Sequence, residues 1–315
     1  MKIVIVAGGT GGHLFPGLTV ARKLKEKEKD SEVFFVGRKN EWERDIVVRE
    51  GFEFISIAAG GWLGKSLVRK LCSTGKAITG FLQSFFILKR LRPRVVMGMG
   101  GYISGPFVLV AWLFRFPTII HEQNSVPGFT NRILSRFADE IAVSFPGSSR
   151  FFPPKKVRVT GNPVREEIWK IRSLKQEGKS KRTLLIMGGS QGAHKLNLAL
   201  IEVIDFLKDK MNSWQIIHLS GREDYELMVR TYKRAGMKAT VYPFLHRMEE
   251  AYQEADLVIA RAGATSVAEI IACGLPAIFI PYPLATEHHQ EENARWMEKA
   301  GAAITIREKE LSGKK

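Results

Sequence analysis

Residues 1–24 read MKIVIVAGGTGGHLFPGLTVARKL, and residues 183–204 read TLLIMGGSQGAHKLNLALIEVI. Each stretch is an apolar run, a loop of glycines holding one hydroxyl residue, and an amphipathic helical pattern. One strand–loop–helix unit is therefore written twice in the chain. The apolar runs are continuous rather than alternating, as befits parallel strands buried on both faces.

Further strands follow the same reading. KIVIVA, EVFFVG, FEFISI, RVVMGM, PTIIHE and EIAVS are predicted strands in the first half. TLLIMG, WQIIHL, KATVYP, ADLVIA, PAIFIPY and AAITI are predicted in the second. Helical patterns such as LTVARKLKEKEK, NLALIEVIDFLKDK and SVAEIIA lie between them. The expected class is α/β, a doubly wound parallel sheet that occurs twice. A length of 315 residues also suits two domains better than one core. The seam is expected near FPGSSRFFPPKKVRVTGNPVREEI, where Pro153-Pro154 halts regular structure and Gly161-Asn162-Pro163 signals a turn. Residues 172–182 form a polar loop just before the second unit. Ligands of such sheets bind beyond the carboxyl ends of the strands, so two sheets facing one another would make a cleft lined by both glycine loops.

Composition excludes several classes. The apolar fraction of 45% and the charged fraction of 25% are those of a soluble globular protein. Cys72 and Cys273 lack metal-ligand or redox spacing and read as reduced thiols. The apolar run before Gly8 is too short for an export signal, and no stretch is long and apolar enough to span a bilayer. The net charge of +16 points to polyanions: nucleic acid, anionic headgroups or phosphorylated substrates.

The glycine loops themselves fail two familiar tests. GGTGGH lacks the third glycine of a dinucleotide-binding loop, where Leu14 stands instead. The following strand ends in Val36-Gly37-Arg38 rather than in a ribose-binding acid, and neither loop supplies the Gly-Lys-Ser/Thr of a triphosphatase. What remains is close backbone approach and free helical N–H groups offered to phosphate. A third cluster, MGMGGYISGP, follows strand RVVMGM, and HEQNSVPGFTNR continues strand PTIIHE. His121, Glu122, Gln123 and Asn124 thus stand at a strand end, where a site would be built or a loop capped.

Six segments, GGTGGHLFPGL, GGYISGP, HEQNSVPGFTN, GNPVR, GGSQGA and RAGATSVAEI, occur in this order from residue 8 onward. Together they resemble the MurG family of bacterial glycosyltransferases, which move N-acetylglucosamine from UDP onto a lipid-linked muramyl-pentapeptide. The resemblance implies the GT-B fold, two Rossmann-like domains facing across a cleft. Residues 1–160 would face acceptor and membrane, and residues 161–315 would bind the UDP-sugar donor. The implied reaction inverts the sugar and forms lipid II from lipid I by attack of the C4 hydroxyl of its MurNAc-pentapeptide, a step of peptidoglycan synthesis that serves cell shape and division.

Such a transfer needs a base near the acceptor hydroxyl and stabilisation of the departing diphosphate. The chain has no Asp-x-Asp pair. Helix N-termini, hydroxyls and protein cations are then expected to hold the diphosphate without metal or cofactor. His13 has a suitable ordinary pKa, near 6.5, and the resemblance makes it the general-base candidate; capping the helix or binding acceptor phosphate are alternative roles. Glu122 is the rival base or an orienting partner. The resemblance assigns Glu269 to the ribose, Arg165, Ser190, Ala264, Thr265 and Ser266 to the diphosphate end, Phe244, Leu245 and Met248 to uracil, and Gln290 and Asn293 to the sugar. Thr10, Gly11, Gly12 and Asn124 join the donor contacts, while Gly9, Gly100, Gly101 and Tyr102 belong to acceptor or phosphate. Arg261 either neutralises phosphate or forms a structural ion pair. His289 departs from the Gln or Asp common in relatives.

An acceptor held in a membrane requires a surface that reaches a bilayer. Residues 62–92 contain no acid and seven Lys or Arg, interleaved with Trp62, Leu63, Phe81, Leu82, Phe85 and Phe86. That pattern suits an anionic membrane surface, with Trp112-Leu113-Phe114-Arg115-Phe116 adding to it. The expected place is the cytoplasmic face of the cell membrane, peripherally bound. Two other readings compete: another UDP-sugar enzyme of this fold, such as a UDP-N-acetylglucosamine epimerase, and a basic nucleic-acid-binding protein. The family usually continues with further helices beyond the AAITI strand, whereas this chain ends at EKELSGKK.

Overall fold

The computed structural model describes residues 1–58, 67–174, 181–189, 192–210 and 213–311. Two compact units result, Met1–Pro163 and Val164–Lys315.

The first unit holds seven strands: β1 (Lys2–Val6), β2 (Glu32–Arg38), β3 (Glu53–Ile57), β4 (Val95–Gly98), β5 (Thr118–Glu122), β6 (Glu140–Val143) and β7 (Val157–Val159). Their order is β3-β2-β1-β4-β5-β6-β7, with every pairing parallel. The helices are α1 (Gly11–Lys27), α2 (Glu41–Arg49), α3 (Leu67–Leu91), α4 (Ser104–Leu113) and α5 (Phe129–Leu134). β1 explains the continuous apolar run. Ile3 and Ile5 pack with Leu14, Leu18 and Phe35 on one face, while Val4 and Val6 pack with Leu88, Phe107 and Ile120 on the other. Each such fully buried side chain stabilises the fold by roughly 1.5–3 kcal/mol.

Two local features differ from the sequence expectation. Val157–Val159 forms a seventh strand against β6 inside the segment read as irregular. It is short and at the sheet edge, so its side chains are mostly exposed and leave little hydrophobic signal. Helix α1 begins at Gly11, well before the predicted pattern at Leu18, and runs through Pro16. Gly17 lets it lie close on the sheet, since a Cβ there would come within 3.2 Å of Ile5 and 3.4 Å of Met99 and Phe35.

The expected basic segment 62–92 divides by helical face. Phe81 and Phe85 pack on the core, whereas Leu82 and Phe86 point outward. Phe85 meets Phe114 with ring centroids 4.8 Å apart, which joins the exposed end of α4 to this surface. Trp62 and Leu63 lie outside the described residues.

The second unit has β8 (Arg182–Met187), β9 (Trp214–Leu219), β10 (Ala239–Tyr242), β11 (Leu257–Ala260), β12 (Ala277–Phe279) and β13 (Ala303–Thr305). Their order is β10-β9-β8-β11-β12-β13, again parallel throughout. Its helices are α6 (Glu166–Leu174), α7 (His194–Lys210), α8 (Tyr225–Ala235), α9 (Met248–Glu254), α10 (Ala264–Cys273) and α11 (His289–Lys299). Leu184, Ile186 and Ile216 pack under Leu196, Leu200, Ile204 and Met228. In both sheets the strand order reverses beside the glycine loop, between β1 and β4 and between β8 and β11. Doubly wound sheets bind ligands beyond that reversal. Among the described residues no helix is long and apolar enough to cross a membrane.

Candidate functional site

In the first unit three strand ends converge on the GGTGGH loop. Thr10 is the exposed N-cap of α1 without a side-chain cap bond, and the first turn carries no acid. Its N–H groups, beginning with those of Gly11 and Gly12, are thereby suited to an anion. Gly9 N–H donates to Oε1 of Glu43 at 2.9 Å, and Arg38 Nε donates to the same oxygen at 3.0 Å. Tyr102 stands beside Gly9. Glu43 is fully buried on α2. Sequence reading missed it, because EWERDIVVR looks like a helix with a charged outer face. The one available signal was the absence of an acid at the end of β2.

His13 sits in the first turn of α1, half-buried over Gly100 and Gly101. Both glycines have positive φ, 91° and 75°, and a Cβ on either would come 3.1–3.3 Å from the imidazole. No other residue serves there: the backbone is left-handed and the ring occupies the side-chain space. His13 Nδ1 lies 3.2 Å from Gln123 Oε1, and Gln123 Nε2 donates to Met99 O at 2.7 Å.

The other HEQN side chains bond within the first unit. His121 is buried and pairs through Nε2 with Gly161 O at 3.2 Å. Burial, with a smaller contribution from neighbouring His13, lowers its pKa to about 4. Glu122 accepts from Asn124 N at 3.0 Å, Asn124 Nδ2 at 3.3 Å, Gly128 N at 3.2 Å and Asn131 Nδ2 at 2.8 Å. Burial raises its carboxyl pKa against the pull of those donors. These donors, from the following loop and from Asn131 on α5, occupy both carboxylate oxygens. Asn124 is half-buried, with its carbonyl accepting from Ser148 Oγ at 2.9 Å.

In the second unit the loop after β11 leads into α10. Gly263 caps this helix without a side-chain bond and the first turn has no acid. Ala264 is buried, Ser266 is half-buried, and Thr265 Oγ1 is buried with no partner. Glu269, one turn further, accepts from Tyr252 Oη at 3.1 Å and from Arg165 Nη2 at 3.4 Å. Arg165 therefore meets a carboxylate in this structure. Asn293 is buried and donates to Ala262 O at 3.1 Å, and Gln290 Oε1 accepts from Tyr282 N at 3.0 Å. Both tie α11 to neighbouring loops. Arg261 is a structural ion pair: it is buried against Glu308 and donates to Ile280 O at 3.0 Å. Phe244 and Leu245 follow β10, half-buried, and Met248 opens α9.

Beneath the second glycine loop runs a polar network that the sequence did not announce. His194 Nδ1 meets Asp224 at 2.9 Å, Asn197 Nδ2 donates to Asp224 at 2.6 Å, and Asn197 Oδ1 faces His218 Nε2 at 3.1 Å. Tyr232 Oη completes it at 3.0 Å from His218 Nδ1. Burial lowers the His218 pKa to about 4, against the opposing pull of Asp224. Gly192 closes the loop with φ at 82°; a Cβ there would strike Ser220 O at 2.4 Å. Ser190 lies outside the described residues. Among the described residues no cluster of His, Cys, Asp or Glu could hold a metal ion.

Sequence models of glycosyltransferase family 28 match the chain, the N-terminal domain over residues 3–143 and the C-terminal domain over residues 183–315. The UDP-N-acetylglucosamine--N-acetylmuramyl-(pentapeptide) pyrophosphoryl-undecaprenol N-acetylglucosamine transferase of Syntrophus aciditrophicus is 42% identical, covering 100% of this chain and 87% of that protein. Its namesake from Halothermothrix orenii is 44% identical, covering 100% and 88%. The crystal structure of Acinetobacter baumannii MurG superposes with a TM-score of 0.79 at 32% identity, covering 100% and 88%. A UDP-GlcNAc 2-epimerase from Neisseria meningitidis, bound to UDP-GlcNAc, reaches 0.64 at 13% identity over 98% and 88%, a likeness of fold alone. With relatives this similar over its full length, and with the motif loops at the reversal points of both sheets, the chain belongs to the MurG family of glycosyltransferases.

Proposed function

We infer that this protein moves N-acetylglucosamine from UDP-N-acetylglucosamine to the C4 hydroxyl of the muramyl-pentapeptide of lipid I, with inversion, giving lipid II. The observation that carries this reading is identity of 42% to a transferase of that name over the whole chain. The acceptor oxygen attacks the anomeric carbon, its proton passes to His13, and the bond from that carbon to the UDP oxygen breaks. The base adds roughly 10²–10⁴-fold to such a step.

Donor binding belongs to the second unit in this reading. The N-terminus of α10, with the unpartnered Thr265 hydroxyl, suits a diphosphate. Glu269 suits the ribose hydroxyls, Phe244, Leu245 and Met248 the base, and Gln290 and Asn293 the sugar. Arg165 would exchange part of its pairing with Glu269 for phosphate. Gly9, Gly100, Gly101 and Tyr102 suit the acceptor side, with Thr10, Gly11, Gly12 and Asn124 toward the donor.

The acceptor's lipid calls for membrane contact without a span. Ile78, Leu82 and Phe86 on α3 and Trp112, Leu113 and Phe114 at the end of α4 are exposed. Lys89, Arg90, Arg92 and Arg115 border them, and this mixture suits the anionic cytoplasmic face of the cell membrane.

The test is transfer of labelled N-acetylglucosamine to lipid I with a chelator present. Label in lipid supports the transferase and shows added divalent metal to be dispensable. Conversion of donor alone to an epimer would favour the epimerase instead, and absence of saturable UDP binding would reject both.

A further inference from the structure

We propose that Gln123 is a positioning residue that fixes the tautomer of His13. The proposal rests on His13 as the base. Gln123 is 1% exposed and its side chain is held at both ends. Its Nε2 donates to Met99 O at 2.7 Å, and a carbonyl can only accept. The amide orientation is thereby set, and Oε1 must be the atom 3.2 Å from His13 Nδ1. An amide oxygen also can only accept, so His13 Nδ1 carries the hydrogen. The neutral ring then has its lone pair on Nε2, the atom through which it takes a proton from the acceptor hydroxyl.

The relay is rigid at its far end. Met99 is fully buried and its N–H bonds to Val6 O at 2.8 Å, so the carbonyl that orients Gln123 belongs to the sheet itself. Gly100 and Gly101 confine the ring from below. This is the logic of a histidine whose second nitrogen is fixed by a hydrogen bond, with a neutral amide in place of the more usual carboxylate. An amide sets the tautomer without adding the charge that would hold the imidazolium protonated.

Four titratable groups surround this arrangement. Glu43 holds Gly9 from α2, Tyr102 stands by Gly9 after β4, and His121 and Glu122 end β5, with Asn131 between Glu122 and Gly100. None of them changes in the variants below.

The experiment uses the full chain labelled with ¹⁵N-histidine, with the His13 signals assigned by their loss in His13→Gln. The free enzyme should show a protonated Nδ1 and an unprotonated Nε2 at neutral pH. Gln123→Met should mix or invert that pattern and lower kcat about tenfold or more, a share of what a base supplies, with KM for the donor little changed. Gln123→Glu should keep the tautomer and move the His13 titration, and the acid limb of the rate profile, to higher pH. A protonated Nε2 in the unaltered enzyme overturns the proposal, whether or not Gln123→Met folds. So does a Gln123→Glu enzyme with an unshifted titration. An inverted tautomer in Gln123→Met with kcat intact overturns His13 as the base, and with it any catalytic consequence of Gln123.

Discussion

Tyr252 donates its hydroxyl to Oε2 of Glu269 over 3.1 Å, and both side chains are buried. Burial raises the Glu269 carboxyl above its ordinary pKa, while Arg165 and Tyr252 pull it back. In Tyr252→Phe that pull is lost and the carboxyl rises further. A raised acid contributes stability below its unfolded pKa and loses it as pH rises through the folded value. The variant's deficit should therefore be smallest near pH 4 and grow toward pH 8, reaching about 1–3 kcal/mol. Urea midpoints at the two pH values decide this, and UDP affinity should fall in parallel. A deficit independent of pH would mean that Tyr252 only packs.

The buried histidines predict the opposite slope. His121 and His218 are each lowered to about 4, from an ordinary 6.5. A depressed base stabilises the fold above its unfolded pKa and loses that contribution as pH falls through the folded one. Each accounts for about 3 kcal/mol lost between pH 6.5 and 4. Glu122 and Glu269 titrate with the other sign, so the histidine share is read by difference. In His218→Gln the fall in stability over this window should shrink by about that amount. An unchanged fall would show that His218 already titrates normally.

Removing the proposed base should separate chemistry from binding. His13→Ala is expected to lower kcat roughly 10²–10⁴-fold while calorimetric UDP affinity stays within about twofold of the unaltered enzyme, because the donor contacts proposed above lie mainly in the second unit. Turnover at the original rate would remove His13 from the mechanism.

Glycine at position 100 is required by two independent constraints, φ of 91° and the His13 ring 3.1 Å from a would-be Cβ. Gly100→Ala should cost about 1–2 kcal/mol in backbone strain and displace the imidazole, lowering kcat with little effect on UDP binding. Full activity in that variant would show that the ring position is not critical.

Charge on the first unit predicts the salt response. Each basic residue near an anionic surface contributes about 1 kcal/mol. Lys89→Glu with Arg90→Glu should thus weaken binding to vesicles containing anionic lipid by at least about 30-fold, the value for loss of two such contributions, and leave UDP affinity unchanged. Equal retention on vesicles would exclude this surface as the membrane contact.

Much of the architecture was legible in the chain because it is locally encoded. Parallel strands of a doubly wound sheet are rich in apolar residues along most of their length, and all twelve strands read from such runs are present. Val157–Val159 has Arg158 at its centre and two prolines just before it, so it offers no apolar run and is defined only by its pairing with β6. Glycine loops were visible for the same reason: positive φ and close approach demand the residue itself. Orientation around a helix was less so, and only packing separates the inward Phe81 and Phe85 from the outward Leu82 and Phe86.

The site divides along the same line. By itself the sequence determined the order of strands and loops, the residue types at strand ends and the family to which the motifs belong. Tertiary structure alone decided which of those polar residues are committed to holding the fold. Glu122 reads in sequence as a base or an orienting partner, and its carboxylate accepts from four donors on the following loop and α5. Glu43, absent from the sequence reading, is buried beneath the first glycine loop. Gln123 meets His13 from 110 residues away. Side-chain hydrogen bonds between strand ends depend on where the sheet brings distant loops together, and no local pattern in the chain encodes that distance.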